Sequence, residues 1–183
     1  RLYAAGRDST YAAGRLKVGT AGSDDYGPVI NAEQMTNMLA AVDRARTAGA
    51  AVLTGGHRLQ GAAYGGGYFV APTIIEHVGP NDEISRSELF GPITILYRVR
   101  DFEEAIALAN DSPFGLTASI HTQNIHRAMT FLNRIQSGVA VVNGGTYGSE
   151  PHMPFGGLRQ SGNGWREAGT QALDVYSDLK TIY

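Results

Sequence analysis

Cysteine is missing from the chain altogether. That removes disulfides, thiolate metal sites and a cysteine nucleophile from these residues, and it says little about compartment, since a cysteine-free protein tolerates either redox setting. No apolar run approaches the roughly 20 residues of a membrane span. No apolar h-region follows the opening Arg1-Leu-Tyr3, so no secretory signal peptide is read. Lys and Arg are scattered and the net charge is -2. Without a basic patch, a nucleic-acid surface is not expected. An initiator Met is also absent, and the first residues read like the middle of a longer protein.

What remains is ordinary for a globular domain. The 183 residues are 43% hydrophobic and 17% charged, enough for one sizeable core or one lobe of a larger protein. Residues 1–15 carry a short Ala-Ala-Gly repetition, Ala4-Ala-Gly6 and Ala12-Ala-Gly14, too brief for a solenoid. Leu16–Val18 suggests a short strand.

From there strands and helices alternate. Asn31 to Thr47 is expected to be helical. Asn31 and Gln34 form a capping-box pattern, and Met35, Met38, Leu39 and Val42 share one face. Ala50–Leu53 reads as a strand ended by Gly55-Gly56, and 58–67 as a surface loop. Tyr68–Val70 and Thr73–Ile75 are strand-like, and a single helical turn is expected within 82–90. Ile93–Val99 is the next strand. Asp101–Asn110 is a helix with its own capping box at Asp101 and Glu104. Leu116–His121 is a strand, and Gln123–Asn133 a helix with Ile125, Ala128, Met129 and Leu132 on its apolar side. Val139–Val142 is a strand, Arg166–Tyr176 a helix and Asp178–Tyr183 a final strand. This alternation is the pattern of βαβ units, so the expected fold class is α/β with a mostly parallel open sheet and flanking helices. In such sheets ligands sit beyond the carboxyl ends of strands. The stretch after Val142 qualifies, and Phe90-Gly-Pro92 is a second candidate.

The stretch after Val142 runs from Asn143 to Gly164 and holds seven glycines. Long loops without regular structure are usually functional or disordered, and its aromatics argue against disorder. Its glycine spacings do not make a phosphate site. Gly162-Asn-Gly164 lacks a preceding strand and a third glycine, and Gly157–Gly162 lacks the Lys-Ser/Thr of a P-loop. No Gly-x-Ser-x-Gly elbow occurs. The five histidines show no ligand spacing, so no metal is expected.

Several residues stay open on chemistry alone. Glu88, in Ser87-Glu-Leu-Phe-Gly-Pro92, is either a solvated turn glutamate or an acceptor for sugar hydroxyls. Glu167 either caps a helix start or transfers protons. Phe155, between Pro154 and Gly156-Gly157, is either a core aromatic or a pocket wall. Arg159 either pairs with an acid or solvates the loop.

Together the motifs resemble the NAD(P)-dependent aldehyde dehydrogenases. Glu88-Leu-Phe-Gly-Pro92 is similar to a family motif, as is Pro154-Phe-Gly-Gly157 followed by Ser161-Gly162 and Arg166-Glu167. Gly27–Ile30, Gly67–Thr73, Ala109–Leu116 and Tyr176–Thr181 fall in the family's order, from about Lys17 to the end. The ordered set is specific where each single motif is not. The resemblance implies the C-terminal part of an aldehyde dehydrogenase catalytic domain spanning 1–183, acting on a small-molecule aldehyde with NAD or NADP. Glu88 would hold the nicotinamide ribose hydroxyls, with Phe90 beside the nicotinamide. Phe155 would form part of the aldehyde pocket, with the loop to Tyr147 shaping its entrance and Asn143 anchoring that loop. Glu167 would relay protons during deacylation.

The resemblance also implies a homo-oligomer, with residues 178–183 as an oligomerisation or interdomain strand, and a cytoplasmic location. The chain departs from the family pattern: the Rossmann cofactor domain and the glutamate general base are absent, and the segment before Lys17 is shorter and richer in Ala and Gly. The family's nucleophilic cysteine has no counterpart here, so the chain alone is expected to be inactive. Trp165 adds one residue between Gly164 and Arg166-Glu167. The alternative is a non-catalytic module that keeps the fold for binding or assembly. A Gly-Gln-x-Cys segment encoded upstream would favour the enzyme, and a start codon just before Arg1 the module.

Overall fold

The computed structural model describes residues 16–183; the Ala-Ala-Gly repetition lies outside them. The chain divides into two compact units, the first ending at Arg98 and the second running Val99–Tyr183.

The first unit is a helix laid on a small sheet. Helix α1 spans Ala32–Thr47, and the Asn31 Oδ1 accepts from the Gln34 N–H at 2.8 Å. Only half of the expected capping box forms. The Gln34 amide reaches across to the Leu89 carbonyl at 2.6 Å instead of back to Asn31. Met35, Met38 and Val42 are buried as the periodicity requires, together with Ala41 and Ala45. Strand β1, Ala51–Thr54, pairs antiparallel with β2, Thr73–Glu76, and β2 pairs parallel with β3, Ile93–Leu96. Val42, Ala45, Ile75, Val78 and Ile84 close one buried cluster; Met35, Met38 and Val70 close another.

A single helical turn, α2 at Glu83–Arg86, lies in the β2–β3 crossover and is tied to α1 by a forked Arg44–Glu83 pair at 2.9 and 2.6 Å. Two expected strands contract to isolated bridges, Val18 with Tyr26 and Arg58 with Val70. Tyr26 donates its hydroxyl to the Val70 carbonyl at 2.9 Å. Burial, and secondarily the nearby Tyr64, push its pKa from 10.0 up to about 12.

The second unit contains a true βαβ element. Strand β5, Thr117–Ile120, and strand β6, Val139–Val142, run parallel in register. The helix between them, α4, spans Ile125–Arg134, and Asn124 caps its start at 3.1 Å. Of the expected face of Ile125, Ala128, Met129 and Leu132, Ala128 is buried, and it is joined by Phe131 instead of the other three; Ile125 is 67% exposed. Both stripes satisfy helical spacing, so periodicity alone does not choose between them. Helix α3, Phe102–Asn110, starts at Asp101, whose carboxylate accepts from the Glu104 N–H at 2.8 Å. The reciprocal bond shifts by one residue: Glu104 accepts the Arg100 N–H at 2.6 Å, and Arg100 holds its carboxyl below the usual range. A short antiparallel pair joins β4, Phe114–Gly115, to β7, Leu158–Arg159.

The expected α/β class holds. The described strands make three small sheets, with two of the four pairings parallel. The expected helix over 166–176 shrinks to α5, Ala172–Val175, because Glu167 joins a backbone bridge to Phe155. Residues 178–183 form no strand in this chain and lie exposed.

Candidate functional site

The six site residues named from the sequence fall into two groups, Glu88 and Phe90 on the first unit and the other four on the second. Each group is built differently.

On the first unit, the segment Glu88–Pro92 leads into β3. It therefore lies at the amino end of the parallel β2–β3 pair, not beyond a carboxyl end as expected. Leu89 packs against both buried clusters, and its carbonyl accepts the Gln34 amide. Gly91 lies against the thioether of Met38, so close that a Cβ there would overlap the sulfur. The Pro92 carbonyl accepts from the Thr73 N–H at 2.9 Å. Pinned at Leu89 and Gly91, the segment turns Glu88 and Phe90 outward.

Phe90 is 74% exposed and adopts φ 49°, a left-handed backbone that a bulky residue rarely takes. Conformations of this kind carry about 1–3 kcal/mol of strain and cluster at functional sites. Glu88 is exposed and makes no hydrogen bond or ion pair with another described residue. Both line an open cleft of about 430 Å³ whose floor includes Ile93, Ile95 and Tyr97. The Tyr97 hydroxyl bonds Ser85 at 2.6 Å, which fixes that wall. A carboxylate with no partner among the described residues, beside an exposed aromatic face, fits a ribose bearing a planar ring.

On the second unit, the loop begins where β6 ends. Asn143 takes φ 55°, and its side chain acts as an extra rung between the two parallel strands. The Oδ1 accepts the Thr122 N–H at 2.8 Å and the Nδ2 donates to the Thr122 carbonyl at 2.9 Å. Its own N–H donates to the Ile120 carbonyl at 2.8 Å. The adjoining Gly144 carbonyl accepts from Ser119 Oγ at 2.6 Å. Tyr147 follows, folded against Gly145 and 88% exposed. Thr122 could not have been found from sequence, because it acts through its main chain.

Phe155 and Glu167 are brought together by backbone. The Phe155 N–H donates to the Glu167 carbonyl at 2.7 Å, and the Glu167 N–H to the Phe155 carbonyl at 2.8 Å. Phe155 is half-buried, and Glu167 is exposed at a bridge and not at a helix start. The glycines between them serve close packing. Gly138 abuts the Gly156 carbonyl, and Gly162 abuts the Gly157 carbonyl, with no room for a Cβ at either. Arg159 neither pairs with an acid nor dangles in solvent. With φ 53°, it donates to the Asn110 and Ser112 carbonyls and to the Gln136 side chain. Ser161 Oγ accepts the Gly115 N–H at 3.1 Å on the same side.

Comparison with known proteins agrees with these motifs. The model of the aldehyde dehydrogenase family matches residues 7–182. The alpha-ketoglutarate semialdehyde dehydrogenase of Haloferax volcanii is 39% identical over 169 residues, covering 92% of this chain and 35% of that protein. The alpha-ketoglutaric semialdehyde dehydrogenase of Bacillus subtilis is 38% identical over 157 residues, covering 86% and 32%. Among solved structures, betaine aldehyde dehydrogenase from Staphylococcus aureus in complex with NAD+ matches with a TM-score of 0.84 at 31% identity, over 90% of this chain and 33% of that one. The chain therefore belongs to the aldehyde dehydrogenase family. It spans about a third of the length of the curated relatives it matches.

Proposed function

We propose that this chain supplies part of the cofactor and aldehyde sites of an NAD(P)-dependent aldehyde dehydrogenase, which oxidises an aldehyde to a carboxylic acid through a cysteine thioester. The observation that carries the reading is the Glu88–Phe90 cleft, where an exposed aromatic in a strained backbone stands beside a carboxylate with no partner among the described residues. Glu88 would accept hydrogen bonds from the ribose hydroxyls, and the Phe90 ring would pack beside the nicotinamide. When bound, NAD(P)+ supplies the hydride acceptor.

On the second unit, Phe155 would wall the aldehyde pocket, and Tyr147 would shape its entrance on a loop that Asn143 holds in place. Glu167, paired through its backbone to Phe155, would carry a proton during release of the acid. The attacking sulfur is not among these 183 residues. Covalent catalysis of this class needs that nucleophile, and its removal typically lowers rate by orders of magnitude. The aldehyde is proposed to be a small polar one, as in the semialdehydes named for the two curated relatives. Self-association through residues 178–183, read by sedimentation, belongs to the same proposal; Leu179, Ile182 and Tyr183 there are exposed.

The test is an assay of the isolated chain with NAD+ or NADP+ and a panel of aldehydes and semialdehydes. No turnover is expected. In a longer protein that joins this chain to a cysteine-bearing segment, Glu88→Gln should raise KM for the cofactor. Robust turnover by the isolated chain, or an unchanged cofactor KM in the variant, would sink the proposal.

A further inference from the structure

Two Asn-Gly pairs occur in the chain, Asn143-Gly144 and Asn163-Gly164. The dipeptide is chemically labile because glycine, lacking a Cβ, lets its amide nitrogen approach the preceding carboxamide. The two pairs sit in opposite circumstances.

The Asn143 carboxamide is fully engaged, with its oxygen and its nitrogen both bonded to the Thr122 main chain. Swinging the side chain toward Gly144 would break both bonds. The neighbouring backbone is held as well, through the Asn143 N–H to Ile120 and the Gly144 carbonyl to Ser119. Asn163, by contrast, is exposed; its Oδ1 accepts the Trp165 N–H at 3.1 Å, and its Nδ2 has no partner among the described residues. That bond draws electron density from the carboxamide carbon and leaves the nitrogen free to depart. Gly164 takes φ 97° and has open space where a Cβ would stand.

We propose that Asn163 is a site of spontaneous deamidation, and that Asn143 is protected from the same reaction by its hydrogen bonds. The Gly164 amide nitrogen attacks the Asn163 Cγ and forms a new C–N bond. The Cγ–Nδ2 bond breaks, and ammonia leaves with the proton lost from the Gly164 nitrogen. Water then opens the resulting succinimide at either carbonyl, giving aspartate or isoaspartate. No oxidant or reductant takes part.

The product matters because of where it lies. Gly162 is pressed on the Gly157 carbonyl, and Arg166 Nη1 donates to that same carbonyl at 3.2 Å. Isoaspartate would insert a methylene into the main chain and a negative charge between these two contacts. It would stand just ahead of Glu167 and its pairing with Phe155.

The experiment is to incubate the purified chain at mildly alkaline pH, map its peptides by mass spectrometry and label isoaspartate with an isoaspartyl methyltransferase. In native buffer Asn163 should convert at least about tenfold faster than Asn143, and in denaturing urea the two rates should converge. Equal native rates, or an unchanged ratio in urea, would overturn the proposal. Gly164→Ala should slow conversion at 163 and leave 143 as it was; an unslowed variant would also overturn it. Should that variant fail to fold, the comparison between buffer and urea decides.

Discussion

The segment Glu88–Pro92 and the loop Asn143–Gly164 both carry candidate site residues, and they are held by different forces. The first hangs from a hydrophobic core. Leu89 reaches both buried clusters, and Gly91 rests on the fully buried Met38. The second is held by directional polar bonds and backbone contact, through Asn143 to Thr122, Arg159 to the Asn110 and Ser112 carbonyls, and Phe155 to Glu167. Burial resists displacement in every direction but needs a filled core. Hydrogen bonds fix orientation while contributing modestly to net stability. The cofactor role proposed for Glu88 and Phe90, which needs a residue to keep one place, suits the former. A loop that must be shaped in detail, with little core beneath it, suits the latter.

The contrast can be broken from the buried side first. Met38→Ala should destabilise the chain by about 2–5 kcal/mol, the usual range for emptying a filled core position. Urea unfolding should show a lower midpoint, and hydrogen exchange should rise at the amides of the Leu89–Ile93 segment. A cost well under 1 kcal/mol would mean that Gly91 is not seated on a packed core.

Arg159→Ala probes the polar side and should cost less, about 1–2 kcal/mol, because its guanidinium is exposed while its acceptors are main-chain carbonyls. Protection should fall at the Gly115 and Gln160 amides, which lie in that junction. Lys at 159 should restore only part of it, since an ammonium cannot reproduce the guanidinium fork.

The smallest effect is expected at Tyr26, where a polar bond sits at the edge of the core. Its folded pKa is raised to about 12, so the native state favours the neutral phenol. The stability it lends is complete below its ordinary pKa of 10.0 and is lost as pH rises toward 12. Thermal unfolding followed across that window should therefore fall less steeply in Tyr26→Phe than in the parent chain. Parallel curves would remove Tyr26 from the account.

The same division separates what was legible in the sequence from what was not. Helix starts were legible where a side chain meets its own backbone, as Asn31 does with Gln34 and Asp101 with Glu104. The second half of each cap was not. Gln34 found a distant carbonyl and Glu104 a neighbouring amide, and local spacing does not distinguish these partners. The motifs around Glu88 and Phe155 marked the stretches that carry the candidate site residues. What holds them was hidden, because Thr122, Asn110 and Ser112 contribute main-chain atoms that any residue type carries. The short α5 has the same cause: the backbone of Glu167 is claimed by Phe155, a pairing across the chain that no local pattern announces.

That pairing also bears on length. With Phe155 and Glu167 locked to each other, the residues between them form a closed bight whose ends do not move when its contour grows. In a flexible bight even doubling the length would add only about 0.6 kcal/mol of closure entropy; here Leu158–Arg159 are held by β4, which leaves the stretch after Ser161 to take up added length. Trp165 lies in this bight, two residues before Glu167, and is 53% exposed. Against the family pattern that the sequence resembles, an extra residue at Trp165 would fall between the two anchors, where their backbone pairing with each other need not change.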